Sequence, residues 1–247
     1  MEDRATGNGL QALIFDVDGT LAETEEAHRA AFNRAFAAFG LPWVWDQALY
    51  RVLLRVAGGK ERIRAFIGRH DPNRATPENL DTLIGALHRH KTALYTHAVA
   101  AGAVPYRSGI VALVEEAHSA GLPLAIATTT SRANVDALLA GAPGALDPNW
   151  FATIKCAEDA PRKKPDPQVY LAALNILGVP ANRALAVEDS RNGVLAASAC
   201  GVPVLVTESA YTAGDGFPEA LAVLPDLGGM RLADLRRLHG SVKPKQA

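Results

Sequence analysis

The sequence predicts an α/β fold, a parallel sheet covered by helices on both faces, with a block of helices inserted after the first strand. Three observations carry this reading. From Pro105 onward, apolar runs of strand length alternate with helix-period segments, as in successive βα units. The stretch from Trp43 to about Ala98 is helical in character and holds no convincing strand. The chain has 247 residues, 49% of them hydrophobic and 21% charged, which suffices for one large domain or a domain with an insertion.

The first strand is read from about Asn8 to Val17. A helix follows in "ETEEAHRAAFNRAFAAFG", where Ala27, Ala31, Phe32, Ala35, Phe36 and Phe39 recur near the 3.6-residue period. Gly40-Leu41-Pro42 ends it. "QALYRVLLRVAGG" and "KERIRAFIGRH" continue the helical block, "DPNRATPEN" interrupts it, and "LDTLIGALHRHKTALYTHAV" closes it. "SGIVALVEEAHSAG", "SRANVDALLAG", "DPQVYLAALNILG" and "RNGVLAASACG" read as helices. "LPLAIAT", "WFATIKC", "ALAVED" and "VPVLVT" read as the strands between and after them. Pro167 suits a first helical turn, where its missing N–H costs nothing. The tail "SVKPKQA" is expected to fray. No internal repeat is visible.

Composition excludes several classes. A net charge of -1 gives no basic footprint for nucleic acid. No apolar run reaches bilayer-spanning length, and "MEDRATGNG" has no signal-peptide core. Cys156 and Cys200 sit in no metal or redox spacing. The expectation is a cytoplasmic, monomeric protein with free thiols and a small-molecule substrate.

Four apolar runs end in reactive side chains. In "LIFDVDGTLAET", Asp16 and Asp18 are two apart, so an extended chain aims both at one spot. An EF-hand loop is excluded, because Leu21 stands where glycine is needed and Ala27 where the bidentate glutamate is needed. In "LAIATTTS", Thr128 directly follows the strand; in "RKKPDP", Lys164 precedes a helix; in "LAVEDSRNG", Glu188 and Asp189 are adjacent acids. Each has a plainer reading alone: helix caps for the hydroxyls and acids, a solvated surface for the cations. Placed together beyond the carboxyl ends of a parallel sheet, where such folds bind ligands, they describe one site. Clustered oxygen ligands favour Mg²⁺. A lysine and a hydroxyl beside it suit a phosphoryl group.

The order Asp-x-Asp-Gly-Thr, Thr after a strand, Lys before Pro, then Glu-Asp resembles the haloacid dehalogenase superfamily of phosphatases. The resemblance runs from about Leu10 to Leu227 and implies a Rossmann-like core of residues 1–22 and 97–247 with an α-helical cap of residues 23–96. "ETEEAHRAAFNRAF", "VAGGKERI", "HKTALY", "AIATTTS" and "KKPDP" are similar to stretches of the CbbY proteins. That similarity implies a Mg²⁺-dependent phosphatase of the Calvin cycle that repairs metabolism by converting xylulose-1,5-bisphosphate, a Rubisco inhibitor, to xylulose 5-phosphate. The alternatives are a broader sugar phosphatase and a mutase of the β-phosphoglucomutase type.

The resemblance also implies roles. Asp16 attacks phosphorus and forms an aspartyl-phosphate. Asp18 protonates the leaving oxygen and later activates water. Thr128 and Lys164 hold phosphoryl oxygens. Asp16, the Asp18 carbonyl and Asp189 hold the metal, with Glu188 as a ligand or an outer partner. In the cap, "GGKER" is the specificity candidate: Gly59 allows close backbone approach, and Lys60 and Arg62 hold a distal phosphate. Glu23 and His28 are expected at the passage from core to cap.

Overall fold

The computed structural model describes residues 9–74, 76–142 and 146–241. The tail expected to fray lies, beyond Ser241, outside the described residues, as does Asn8 at the start of the expected first strand.

Six strands form one sheet: β1 (Ala12–Phe15), β2 (Leu124–Ala127), β3 (Phe151–Lys155), β4 (Ala184–Glu188), β5 (Val204–Thr207) and β6 (Ala222–Leu224). Their order is β3-β2-β1-β4-β5-β6, and every pairing is parallel. This is the doubly wound order of a Rossmann-like sheet, whose strand order reverses between β1 and β4. The four central strands are completely buried, which explains why they read as continuous apolar runs rather than alternating ones. Leu13, Phe15, Leu124, Ile126, Leu185 and Val187 pack into the core on one face of the sheet. Ala12, Ile14, Ala125, Ala127, Ala184 and Ala186 pack into the core on the other.

Four helices, α1 (Glu25–Ala38), α2 (Gln47–Leu53), α3 (Gly59–His70) and α4 (Pro77–Ala100), follow β1 without an intervening strand. They have an aromatic core of their own, built around Phe32, Phe36, Trp43, Trp45, Tyr50 and Phe66. Tyr211 reaches it from beyond β5. Asn33 fixes the connection after α1, donating to the Trp45 carbonyl at 2.9 Å and accepting from its N–H at 2.8 Å. Asp46 caps α2 by accepting from Leu49 N at 2.7 Å. The remaining helices cover the sheet: α5 (Ile110–Ser119), α6 (Arg132–Gly141), α7 (Gln168–Leu177), α8 (Arg191–Ala199) and α9 (Leu232–Gly240).

Several boundaries differ from the sequence reading. β1 stops at Phe15, because the chain turns immediately afterwards: Thr20, Leu21 and Ala22 all donate to the Val17 carbonyl. Expected from Glu23, α1 instead starts at Glu25 with Thr24 as its cap residue. α4 starts at Pro77, inside the expected break, since proline is tolerated in a first turn. It then runs unbroken to Ala100, so a boundary between 96 and 97 falls within one helix. β6 and α9 were not anticipated.

No helix among the described residues is long and apolar enough to cross a membrane. Both cysteines are free.

Candidate active site

The carboxyl ends of the central strands open into a cavity of about 1090 Å³, roofed by the α1–α4 layer. On the sheet side Asp16, Asp18, Thr128, Lys164 and Asp189 line it; on the helical side His28, Gly59, Lys60, Arg62, His88 and Lys91 do.

The register explains the floor. Phe15 pairs with Val187 across β1 and β4, and Asp16 N donates to the Val187 carbonyl at 3.0 Å. Asp16 therefore lies level with Glu188 at the point where strand order reverses. Lys164, 4% exposed, joins them, donating to Asp16 Oδ1 at 2.7 Å, Glu188 Oε1 at 2.6 Å and the Ala127 carbonyl at 2.9 Å. One ammonium uses its three donors on three different segments. Tyr170 donates to the same Glu188 oxygen at 2.6 Å. The second Glu188 oxygen accepts from Asp189 N at 3.3 Å and Ser190 Oγ at 3.4 Å. Glu188 is fully buried and fully bonded.

Ser190 caps α8, accepting from Gly193 N at 3.1 Å. A Cβ at Gly193 would collide with the Glu188 carboxylate, so only glycine lets this helix begin so close to the strand end. Gly19 has φ +78°, and a Cβ there would collide with Asp189.

Carboxylate oxygens of Asp16, Glu188 and Asp189 lie within 4.8 Å of one another, and all three residues are buried. Burial raises the Asp16 carboxyl to about 7, against the pull of Lys164. Burial and the neighbouring Asp16 and Glu188 charges push Asp189 well above the usual carboxylate range. Lys164 is held above its ordinary value, because Asp16 and Glu188 outweigh the cost of its burial. Three acids against one lysine leave room for a cation. An all-oxygen donor set of this kind fits Mg²⁺ rather than a thiophilic metal.

Asp18 is held differently. Its Oδ1 accepts from Thr24 Oγ1 at 2.5 Å and from His28 Nε2 at 3.0 Å, while Oδ2 has no bonded partner among the described residues. Lys91 Nζ donates to His28 Nδ1 at 2.5 Å, which requires the neutral tautomer protonated on Nε2. Burial is the largest influence on Asp18 and opposes its ionisation, yet His28, Thr24 and Lys91 together hold its carboxyl below the usual range. Burial and the nearby Lys91 hold His28 down. Tyr95 stacks on the His28 ring with centroids 3.9 Å apart. The first two acids are thus set apart by environment, Asp16 raised and Asp18 lowered.

Thr128 is 1% exposed. Its Oγ1 accepts from Thr130 N at 3.2 Å, so its own proton remains to donate into the cavity. Ser131, at the start of α6, makes no side-chain cap bond.

The helical wall departs from expectation at two residues. Arg62 is 8% exposed and is partly engaged: Nε donates to the Leu53 carbonyl at 3.3 Å and Nη1 to the Tyr50 hydroxyl at 3.1 Å. Glu23 is not among the cavity-lining residues. It faces Arg107 Nε at 3.3 Å and accepts from Ala210 N at 3.4 Å, on the linker before α1. Lys60 lines the cavity as expected and forms no hydrogen bond or ion pair with a described residue. Lys91 and His88 were missed by sequence reasoning. Their signal was the helical spacing of "HRHKTALY", which puts His88, Lys91 and Tyr95 on one face of α4.

A family model described as haloacid dehalogenase-like hydrolase matches residues 10–201. The chain belongs to the haloacid dehalogenase-like hydrolases. It is an enzyme of the phosphatase kind. It is 53% identical to the plasmid-encoded protein CbbY of Cupriavidus necator over 219 residues, covering 89% of this chain and 86% of that one. The CbbY of Rhodobacter capsulatus is 49% identical over 218 residues, covering 88% of this chain and 94% of the relative. Among solved structures, CbbY from Rhodobacter sphaeroides in complex with phosphate superposes with a TM-score of 0.85 at 43% identity, covering 92% of this chain and 99% of that one. A mutant of the same protein was solved with xylulose-(1,5)bisphosphate, with the same score and coverage.

Proposed function

We propose that this protein is a Mg²⁺-dependent sugar phosphatase that converts xylulose-1,5-bisphosphate to xylulose 5-phosphate, removing a Rubisco inhibitor in the Calvin cycle. The observation that carries the chemistry is geometric: Asp16, bonded to Lys164 and clustered with Glu188 and Asp189, and Asp18, with one oxygen left unbonded by described residues, line the same cavity at one strand end. The CbbY relatives, one with xylulose-(1,5)bisphosphate bound, and the cationic wall opposite Asp16 support the substrate. The helical layer, residues 23–96 in the sequence reading, serves as the cap that selects it.

Asp16, through the oxygen not bonded to Lys164, attacks phosphorus and forms an aspartyl-phosphate. Lys164 holds Asp16 in line and offsets charge on the phosphoryl oxygens, and the Thr128 hydroxyl donates to one of them. Asp18 gives its proton to the departing sugar oxygen, then takes one from the water that attacks the phospho-aspartate. Asp18 must be protonated for the first step, and its bonds to Thr24 and His28 favour the carboxylate that is needed for the second. Asp16, Asp189 and the Asp18 carbonyl would hold Mg²⁺, with the fully bonded Glu188 as outer partner. The ion supplies positive charge to the phosphoryl oxygens when bound. Lys60, Arg62 and Lys91 pair with the distal phosphate.

A phosphate-release screen with Mg²⁺ across pentose and hexose mono- and bisphosphates tests this. The expected result is a strong preference for xylulose-1,5-bisphosphate. A flat profile would overturn the narrow substrate, and isomerisation without phosphate release would overturn the hydrolytic step.

A further inference from the structure

Arg107 lies in the linker that returns from α4 to α5, in the turn "PYRSG". An arginine in a linker ordinarily faces solvent, yet this side chain is 8% exposed. Its guanidinium reaches three stretches of chain. Nη1 donates to the Gly19 carbonyl, to the Thr207 carbonyl at 3.1 Å and to the Thr207 hydroxyl at 3.2 Å. Nη2 donates to the carbonyls of Glu208 at 2.6 Å and Pro225 at 2.7 Å. Nε faces Glu23 at 3.3 Å.

The backbone is tied in as well. Arg107 N donates to the Leu21 carbonyl at 2.8 Å, and Ala22 forms an antiparallel bridge with Tyr106. The two linkers between the sheet and the helical layer therefore run side by side. Arg107 fastens both of them to the chain just beyond β5 and β6. Only a planar fork with donors on three nitrogens can serve so many acceptors; a lysine ammonium has three donors at one point.

What the fork holds matters for Asp18. Gly19 is the next residue, and its carbonyl is one of the acceptors. The Asp18 carboxylate is held by Thr24 and His28, both on the helical side of the linker. One peptide further on, the Gly19 carbonyl is held from the sheet side by Arg107. The turn has internal bonds of its own, Thr20, Leu21 and Ala22 donating to the Val17 carbonyl, and Arg107 is what ties that turn to the chain beyond β5 and β6.

We propose that Arg107 is a positioning residue for Asp18, and that its fork on Gly19, Thr207, Glu208, Pro225 and Glu23 keeps the acid aligned with Asp16. The inference rests on the reading of Asp18 as the group that protonates the leaving oxygen. In that step an Asp16 oxygen bonds to phosphorus, the phosphorus–oxygen bond to the alcohol breaks, and the Asp18 proton goes to the departing oxygen. An alkoxide needs that proton, whereas a nitrophenolate leaves without it. Misplacing Asp18 therefore harms alkyl esters selectively.

The test compares kcat/KM for the best alkyl ester from the phosphate-release screen with kcat/KM for p-nitrophenyl phosphate, both with Mg²⁺. The ratio of the two cancels the fraction of correctly folded enzyme, so a partly unfolded variant still answers the question. Arg107→Ala is expected to lower the ratio about ten-fold or more, a share of the 10²–10⁴ that acid–base catalysis supplies. Arg107→Lys should fall between Arg107→Ala and the parent, and added guanidinium should raise the ratio in Arg107→Ala. Equal losses on both esters would overturn the proposal, because a purely structural residue acts on both alike. Asp18→Ala separates the two layers of the argument. If it collapses the ratio and Arg107→Ala does not, the positioning role alone fails. If neither changes the ratio, the assignment of Asp18 fails too.

Discussion

Lys91 offers the sharpest quantitative test of the electrostatics of this cavity. It is 3% exposed, sits 4.8 Å from the Phe32 ring centroid and 5.0 Å from that of Tyr95, and spends one donor on His28. Burial, with Arg62 adding to it, outweighs the upward pull of Asp18 and Glu25 and lowers its pKa from 10.5 to about 7. The folded chain therefore holds fewer protons than the unfolded chain between pH 7 and 10.5. A base whose folded pKa is depressed carries its full penalty below pH 7 and sheds it as pH rises. Over the whole window the penalty is about 5 kcal/mol, at roughly 1.4 kcal/mol per pH unit. Lys91→Met keeps the length and removes the charge. It also takes a donor and a repelling charge from His28, whose own titration then rises. Reading between pH 8 and pH 9 avoids that range, and there the parent should gain about 1 kcal/mol over the variant. Urea unfolding followed by tryptophan fluorescence measures this directly, since Trp43 and Trp45 are both buried in the same helical core. Parallel stability curves for parent and variant across pH 8 to 9 would refute a buried, depressed Lys91.

Other outcomes follow from the same geometry. Asp16→Asn should abolish phosphate release while leaving the circular dichroism spectrum and thermal transition essentially native; turnover near the parent's would sink the nucleophile assignment. Gly19→Ala needs φ +78° from a residue with a Cβ and drives that Cβ into Asp189. It should cost at least ~1–3 kcal/mol and most of the activity, measured by denaturation and by kcat. Lys60→Ala should raise KM for a bisphosphate more than for the matching monophosphate, with the melting temperature unchanged. Arg62→Ala should also lower the melting temperature, because it removes bonds to Leu53 and Tyr50; equal KM changes for the two esters would remove both residues from distal-phosphate recognition.

Much of the floor was legible because its signals are local. Each acid or lysine stands next to an apolar run or a proline, and the doubly wound order brings such ends together. What escaped was tertiary. The Asp18–His28–Lys91 chain joins the β1 turn, α1 and α4, and His28 and Lys91 are 63 positions apart; no spacing rule reaches that far. Arg62 reads as one more charge in "GGKER", and only the fold lays it at 5.3 Å over the Tyr50 ring. Glu23 was placed at the passage between core and cap, and it does stand on the linker, but Arg107 turns it away from the cavity. β6 is three residues long and only partly buried, too short for a period to register. In contrast, α9 carries a helical stripe in Leu232, Leu235 and Leu238 that the sequence does show.

Acids dominate the floor of the cavity and cations dominate its helical wall, with Lys164 on the one side and Glu25 and Glu61 on the other as exceptions. On the floor, Asp16 and Asp189 are pushed up toward neutrality by burial and by neighbouring carboxylates, Glu188 and Asp18 for Asp16, Asp16 and Glu188 for Asp189. On the helical wall, burial pushes Lys91 down to about 7, Arg62 adding to it against the pull of Asp18 and Glu25, and burial with the surrounding cations pushes His88 to about 3. A cation alone relieves only the floor, and a phosphate alone relieves only the wall. A bound phosphate ester brought together with a hard cation relieves both. Charge opposed in this way favours a ligand with an anionic group at each end over one with a single anionic end, because the second phosphate is what restores charge to Lys91 and gives Lys60 a partner. The preference for a bisphosphate expected of the proposed function would then follow from the repulsion built into the helical wall as much as from the attraction its residues offer.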